Sequence, residues 1–223
     1  TRSYKKIILE PIWRNRFVTT DDISVNQNGF FFLILASYLC KMSIIKLHDL
    51  NFTPFISEKE LSEIVSSLVR KVSADLGPDE IPIFIGILNG SFLFAADFIR
   101  KYTHNCEVSF VKLSSYQGTS SSDIVHELIG INEDISGRTI VILEDIIDTG
   151  TTLHKIYDSF KNKDIKQLKI ATLFFKPDVY RKELPIDYIG KNIEDKFIVG
   201  YGLDYNGLGR NLPAVYQLTT ETN

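Results

Sequence analysis

One stretch constrains the fold of this chain more than any other: Val141-Ile142-Leu143-Glu144-Asp145-Ile146-Ile147-Asp148-Thr149-Gly150-Thr151-Thr152. The apolar run reads as a buried strand. Two adjacent acids sit at its end, and a third follows at Asp148. The Thr/Gly turn then opens an amphipathic stretch, 153–160, that reads as a helix. A strand, a tight turn and a helix start in succession present backbone N–H groups and the positive end of a helix dipole to one point, which makes an anion cradle. Acids beside such a cradle point to a ligand with a phosphate, hydroxyls and a metal ion. The turn is not the phosphate loop of nucleoside triphosphatases, because the pattern G-x-x-x-x-G-K-[ST] is absent.

The chain has 223 residues, 44% of them hydrophobic, which is enough for one α/β domain with a real core. A formal charge of -3 gives no electrostatic basis for non-specific nucleic-acid binding. The two cysteines, Cys40 and Cys106, are too few for a disulfide framework, so a reducing cytoplasm is the expected setting. The longest apolar run, 30–40, is about half of the ~20 residues that a membrane helix needs. No membrane partner is expected.

Residues 1–41 differ in character from the rest. Trp13, Arg14 and Arg16 precede a polar stretch, 19–28, and then comes the apolar run. Met42 is the only methionine, and Met42-Ser43-Ile44-Ile45-Lys46-Leu47 reads as an ordinary protein start. Asp21 and Asp22 precede the apolar run and no small-residue cleavage site follows it, which argues against a targeting signal. The expectation is an N-terminal extension over 1–41, outside the catalytic fold, and one domain over 42–223.

Downstream, Ser57-Glu58-Lys59-Glu60 is a capping box. It opens a helix with Leu61, Ile64, Val65, Leu68, Val69 and Val72 on one face, stopped by Gly77-Pro78. Residues 82–88 predict a short strand, Asn89-Gly90-Ser91 a turn, and 92–102 an apolar helix. Its Phe92, Phe94, Phe98 and Tyr102 are either core or a subunit contact. Further strands are expected at 107–113, 168–175, 186–190 and 197–200, and the polar stretch 114–123 reads as a mobile loop. Strands alternating with helices predict an α/β fold, a mainly parallel twisted sheet with helices on both faces. Ligands of such sheets sit at the carboxyl ends of the strands. Asn89-Gly90, the 114–123 loop, the Glu144–Thr152 loop and Lys176 all fall at such ends.

Taken singly, these residues have bland readings. Thr149 suits an ordinary helix cap, Glu144 and Asp145 a solvated strand end, Lys176 and Arg210 surface charges, and Tyr188 a half-buried strand aromatic. Carboxylates also accept hydrogen bonds from vicinal sugar hydroxyls and attract hydrated Mg²⁺, and Asp148 is placed for a general base. Asp148-Thr149-Gly150 matches the aspartic-protease signature as well. That chemistry needs two such loops sharing one proton, and this chain has one copy in a β–α setting.

Several motifs in one order carry a family resemblance. Glu144-Asp145-Ile146-Ile147-Asp148-Thr149-Gly150 resembles the phosphoribosyl pyrophosphate loop of type I phosphoribosyltransferases, nearest in wording to the hypoxanthine-guanine members. Ile87-Leu88-Asn89-Gly90-Ser91-Phe92 resembles their pyrophosphate loop. Leu113-Ser114-Ser115-Tyr116 resembles their mobile catalytic loop, and Phe175-Lys176-Pro177 their purine-reading lysine. Asp195-Lys196-Phe197-Ile198-Val199-Gly200-Tyr201-Gly202-Leu203-Asp204-Tyr205 resembles their C-terminal signature, with Arg210 following it. The resemblance spans residues 44–218.

That resemblance implies a type I phosphoribosyltransferase-like fold with a small hood from the chain ends. It implies transfer of a 5-phosphoribosyl group from phosphoribosyl pyrophosphate to N9 of a 6-oxopurine base, with Mg²⁺ as cofactor. Asp148 would share the purine N7 proton. Glu144 and Asp145 would hold the ribose hydroxyls, whose oxygens also face Mg²⁺, and Asp195 would ligate a second Mg²⁺. Thr149, Gly150, Thr151 and Thr152 would bind the 5′-phosphate, and Leu88, Asn89, Gly90 and Arg210 the pyrophosphate. Lys176 would donate to the purine O6, Tyr188 would stack on the ring, and the Ile189 backbone and Asp195 would read its edge. Ser115 and Tyr116 would belong to a lid that excludes water. A lysine donor suits a 6-oxo group and opposes the 6-amino group of adenine; hypoxanthine, guanine and xanthine stay open.

The expected assembly is a homodimer or homotetramer. The alternative is a regulatory protein that binds phosphoribosyl pyrophosphate without turnover. It would need a basic face or an added nucleic-acid-binding segment, and neither is legible here. The chain departs from the family at two places. Asn89 stands where many members carry Lys, which removes a positive charge near the leaving pyrophosphate. Thr151 stands where they often carry Lys or Arg, which rests phosphate binding on the backbone.

Overall fold

The computed structural model describes residues 44–115, 125–129 and 134–219, all in one compact unit that begins at Ile44. The expected extension 1–41 and Tyr116 lie outside the described residues. In chain order the elements are β1 (Ile45–Leu47), β2 (Leu50–Ile56), α1 (Glu58–Leu76), β3 (Ile83–Ile87), α2 (Phe92–Lys101), β4 (Glu107–Ser115), β5 (Val125–Ile129), β6 (Thr139–Ile147), α3 (Thr151–Phe160), β7 (Gln167–Phe175), β8 (Tyr188–Asn192), β9 (Ile198–Val199) and β10 (Val215–Leu218).

The local signals act as the sequence implies. Ser57 Oγ accepts from the Glu60 N–H at 3.2 Å, which satisfies an orphan donor of the first turn of α1. Gly77, at φ 77°, ends the helix. The buried stripe of α1 is Leu61, Val65, Leu68, Val69 and Val72.

The main sheet has the order β5-β4-β3-β6-β7-β8. From β4 to β8 neighbours run parallel, and β5 joins the edge of β4 antiparallel. Side chains alternate between two faces along each strand. Phe84, Val141, Leu143, Ala171 and Leu173 join a core with α1 and α2, whereas Ile83, Ile85, Ile140, Ile142 and Ile170 meet Leu153, Ile156 and Phe160 of α3. Burial on both faces is why β6 reads as one continuous apolar run. Phe94, Phe98 and Tyr102 are core, whereas Phe92 is exposed; Phe84 lies 5.2 Å from Phe98 and 4.9 Å from Tyr102, centroid to centroid, edge to face.

Both ends of the described chain build the hood, an antiparallel sheet of order β1-β2-β10-β9. Two sequence readings are corrected. Ser114 and Ser115, read as loop, extend β4 and pair with His126 and Val125. The strand expected from 186 starts at Tyr188, because Asp187 Oδ2 accepts the Ile170 N–H at 2.8 Å and takes that backbone donor out of the ladder. No helix among the described residues is long and apolar enough to cross a membrane.

Candidate active site

The carboxyl ends of β3, β6 and β7 open onto a cavity of about 300 Å³. Gly90, Asp145, Ile146, Asp148 and Lys176 line it from the sheet. Lys196, Phe197, Ile198, Leu203, Asp204 and Arg210 line it from the hood segment.

Glu144 and Asp145 close β6, each 8% exposed. Burial pushes the Glu144 carboxyl well above the usual range, and the neighbouring Asp145 charge adds to it. Burial raises Asp145 to about 6, against the pull of its own and the Ile146 backbone N–H and of Arg210. Glu144 Oε2 is buried with no hydrogen-bond partner. A buried acid pair with an unmet acceptor is suited to hydroxyl donors or a cation.

The β3–α2 loop packs onto this pair. Ser91 Oγ donates to the Ile87 carbonyl at 2.7 Å, and the Leu88–Asn89 peptide is cis. A Cβ on Gly90 would collide with Asp145 Oδ2, and one on Gly202 would collide with the Gly90 carbonyl oxygen. Glycine at both positions lets hood, loop and acid pair stack. Leu88 and Asn89 flank Gly90, with the Leu88 N–H donating to the Val111 carbonyl at 2.8 Å and the Asn89 side exposed.

Gly150 starts α3 at φ 79°, and no side chain caps the helix. The first-turn N–H groups therefore remain available to an anion. Thr149, Thr151 and Thr152 are exposed beside them, with the Thr149 and Thr151 hydroxyl oxygens 3.1 Å apart. The Tyr180 ring backs the turn; a Cβ on Gly150 would stand 2.5 Å from its Cε2.

Lys176 follows β7 and is 6% exposed. Its Nζ donates to Asp195 Oδ1 at 2.9 Å and lies 3.4 Å from Asp148 Oδ2. Arg210 is held by Asp204 Oδ1 at 2.6 Å and by the Gly202 carbonyl at 2.6 Å.

Three expectations fail on geometry. Tyr188 pairs with Ala171, four residues short of the carboxyl end of β7, and its hydroxyl donates to Asp75 at the end of α1. Burial and Asp75 push that phenol far up. The Ile189 carbonyl accepts from Lys71 Nζ at 3.2 Å. Neither residue lines the cavity; Phe197, 43% exposed, and Ile198 do. Asp195 is tied to Lys176 and does not line the cavity either. Asp204 lines the cavity in its stead. Among the described residues no group of three or more His, Cys, Asp and Glu stands ready for a metal. A signal for the cavity-lining frame was present. Tyr188-Ile189 and Phe197-Ile198 are both aromatic–isoleucine pairs with an aspartate seven positions after the aromatic, Asp195 and Asp204, so the pattern occurs twice. Ser115 closes β4.

An uncapped helix start, a buried acid pair and a lysine–aspartate couple, gathered at the carboxyl ends of β6 and β7, are the features of a phosphoribosyl-transfer site. The phosphoribosyl transferase domain model matches residues 57–206, and the chain belongs to that family. Its relatives include a hypoxanthine-guanine phosphoribosyltransferase of Streptococcus pyogenes serotype M3, 41% identical over 166 residues, covering 74% of this chain and 92% of that protein. One from Staphylococcus epidermidis is 36% identical over 167 residues, covering 74% and 93%. Among solved structures, a hypoxanthine-guanine phosphoribosyltransferase from Bacillus anthracis superposes with a TM-score of 0.69 at 38% identity, over 75% of this chain and 96% of that one. A hypoxanthine phosphoribosyltransferase from Staphylococcus aureus gives 0.70 at 31%, over 81% and 95%.

Proposed function

We propose that this chain transfers the 5-phosphoribosyl group of phosphoribosyl pyrophosphate to N9 of hypoxanthine or guanine, yielding IMP or GMP and pyrophosphate in purine salvage. The observation that carries it is the Lys176–Asp148 couple, facing the same cavity as Asp145 and Arg210. N9 attacks C1 of the ribose as the C1–O bond to pyrophosphate breaks. Asp148 takes a share of the N7 proton, and the buried Lys176 ammonium donates to O6 and steadies charge on the ring. Phe197 offers an exposed ring face to the base, and the Ile198 backbone its edge. The uncapped start of α3 binds the 5′-phosphate, Glu144 and Asp145 the ribose hydroxyls, and Arg210 the pyrophosphate.

The donor set fits a hard divalent cation. Glu144 and Asp145 offer oxygen only, and Glu144 Oε2 is unpartnered, so this pair would hold the ion together with substrate and water oxygens. Bound there, Mg²⁺ would supply positive charge to the pyrophosphate oxygens. Asn89 adds none, so Arg210 carries more of that role. Nothing in the fold or the family favours the regulatory reading. The proposed setting is the cytoplasm, and the proposed assembly is a homodimer or homotetramer, which light scattering would measure. Residues 42–223 are proposed to carry the transferase. Mg²⁺-dependent release of pyrophosphate on adding hypoxanthine or guanine tests the activity; tight binding of phosphoribosyl pyrophosphate without release would contradict it.

A further inference from the structure

Asp195 has no role in the chemistry above, yet it holds the most buried cation of the site. The Lys176 ammonium has two carboxylate partners: Asp195 Oδ1 at 2.9 Å, from the segment between β8 and β9, and Asp148 Oδ2 at 3.4 Å, from the loop after β6. Burying an ammonium is costly unless carboxylates lie close. The shorter and better hydrogen bond is the one to Asp195. The two partners compete for one cation. Were Lys176 to close on Asp148, the base would lose its acceptor at N7 and its donor at O6 together. The neighbouring cation does not take Asp195 away, because Lys196 Nζ sits on Glu194 Oε2 at 3.0 Å.

We propose that Asp195 is a positioning residue: its shorter bond draws the Lys176 ammonium away from full pairing with Asp148, leaving that contact at 3.4 Å, so that Lys176 stays aimed at a 6-oxo group and Asp148 stays able to accept from N7, and it thereby sets the preference for 6-oxopurines over 6-aminopurines. This rests on the transferase reading. The side chain of Asp195 is 54% exposed, so its replacement opens no core cavity.

Steady-state kinetics on Asp195→Asn, Asp195→Glu, Lys176→Ala and the Asp195→Asn/Lys176→Ala pair test it. The expected result for Asp195→Asn is a base KM raised about ten-fold or more, a phosphoribosyl pyrophosphate KM within about two-fold of wild type, and a narrowed hypoxanthine-over-adenine ratio. Asp195→Glu restores part of the loss. In the Lys176→Ala background, Asp195→Asn costs nothing further, since the tether holds nothing. An unchanged base KM, or an equal loss with and without Lys176, overturns the assignment. A wild-type chain that turns over no purine overturns the transferase reading itself, and the tether with it.

Discussion

Gly90 and Asp145 share one packing site: a Cβ on Gly90 would stand 2.6 Å from Asp145 Cγ, inside the volume of the carboxylate. Asp145 is 8% exposed and has little room to retreat. The β3–α2 loop and the acid pair at the end of β6 are thus set against each other by the absence of a side chain.

Gly90→Ala is therefore expected to damage the site more than the fold. A displacement of about 1 Å at a reacting group costs on the order of 10²-fold in rate, whereas overpacking costs roughly 1–3 kcal/mol of stability. Steady-state kinetics beside thermal melts measure both. A folded variant with wild-type kcat/KM would show that Asp145 need not stand where it does.

Asp148→Asn removes the proposed proton acceptor and leaves the phosphate cradle in place. Turnover is expected to fall roughly 10²–10⁴-fold, while calorimetry should find phosphoribosyl pyrophosphate binding nearly intact. Full activity would take Asp148 out of the mechanism.

Gly150→Ala puts a side chain at φ 79° with a Cβ 2.5 Å from the Tyr180 ring. The left-handed backbone alone costs roughly 1–2 kcal/mol, and the turn must shift to clear the ring. The KM for phosphoribosyl pyrophosphate is expected to rise about ten-fold, with the base KM unmoved. A selective rise in base KM would contradict the placement of the 5′-phosphate here.

The acid pair makes a pH-dependent contribution of definite sign. Asp145 titrates near 3.8 unfolded and at about 6 folded, so between those values the folded chain binds more protons. Stability contributed by this group falls as pH rises through that window, and Glu144, also raised, adds the same sign. Asp145→Asn removes that slope. Its melting temperature relative to wild type should climb from about pH 4 to about pH 7. A constant offset across that range would mean that Asp145 is ionised as easily folded as unfolded.

Much of this was legible in the sequence for identifiable reasons. The capping box at Ser57, the two-sided apolar run of β6 and the glycine turn at Gly150 are local signals, and local hydrogen bonds realise them. The hood came from a family resemblance, since pairing strands β2 and β10 is a long-range event that no local pattern encodes. The residues proposed to face the purine were misplaced for the same kind of reason. Tyr188-Ile189 and Phe197-Ile198 present the same pattern. Only the register of β8 on β7 puts Tyr188 beside Ala171, below the carboxyl ends, and leaves Phe197 at the cavity. The Asp195–Lys176 contact joins two loops across the sheet top and has no sequence signature.

The most direct test of the central claim is a spectrophotometric assay with Mg²⁺, phosphoribosyl pyrophosphate and, separately, hypoxanthine, guanine, xanthine and adenine. Turnover is expected with hypoxanthine or guanine and none with adenine, because Lys176 offers a donor where adenine carries one. Adenine turned over as fast as hypoxanthine, or no base turned over at all, would contradict it.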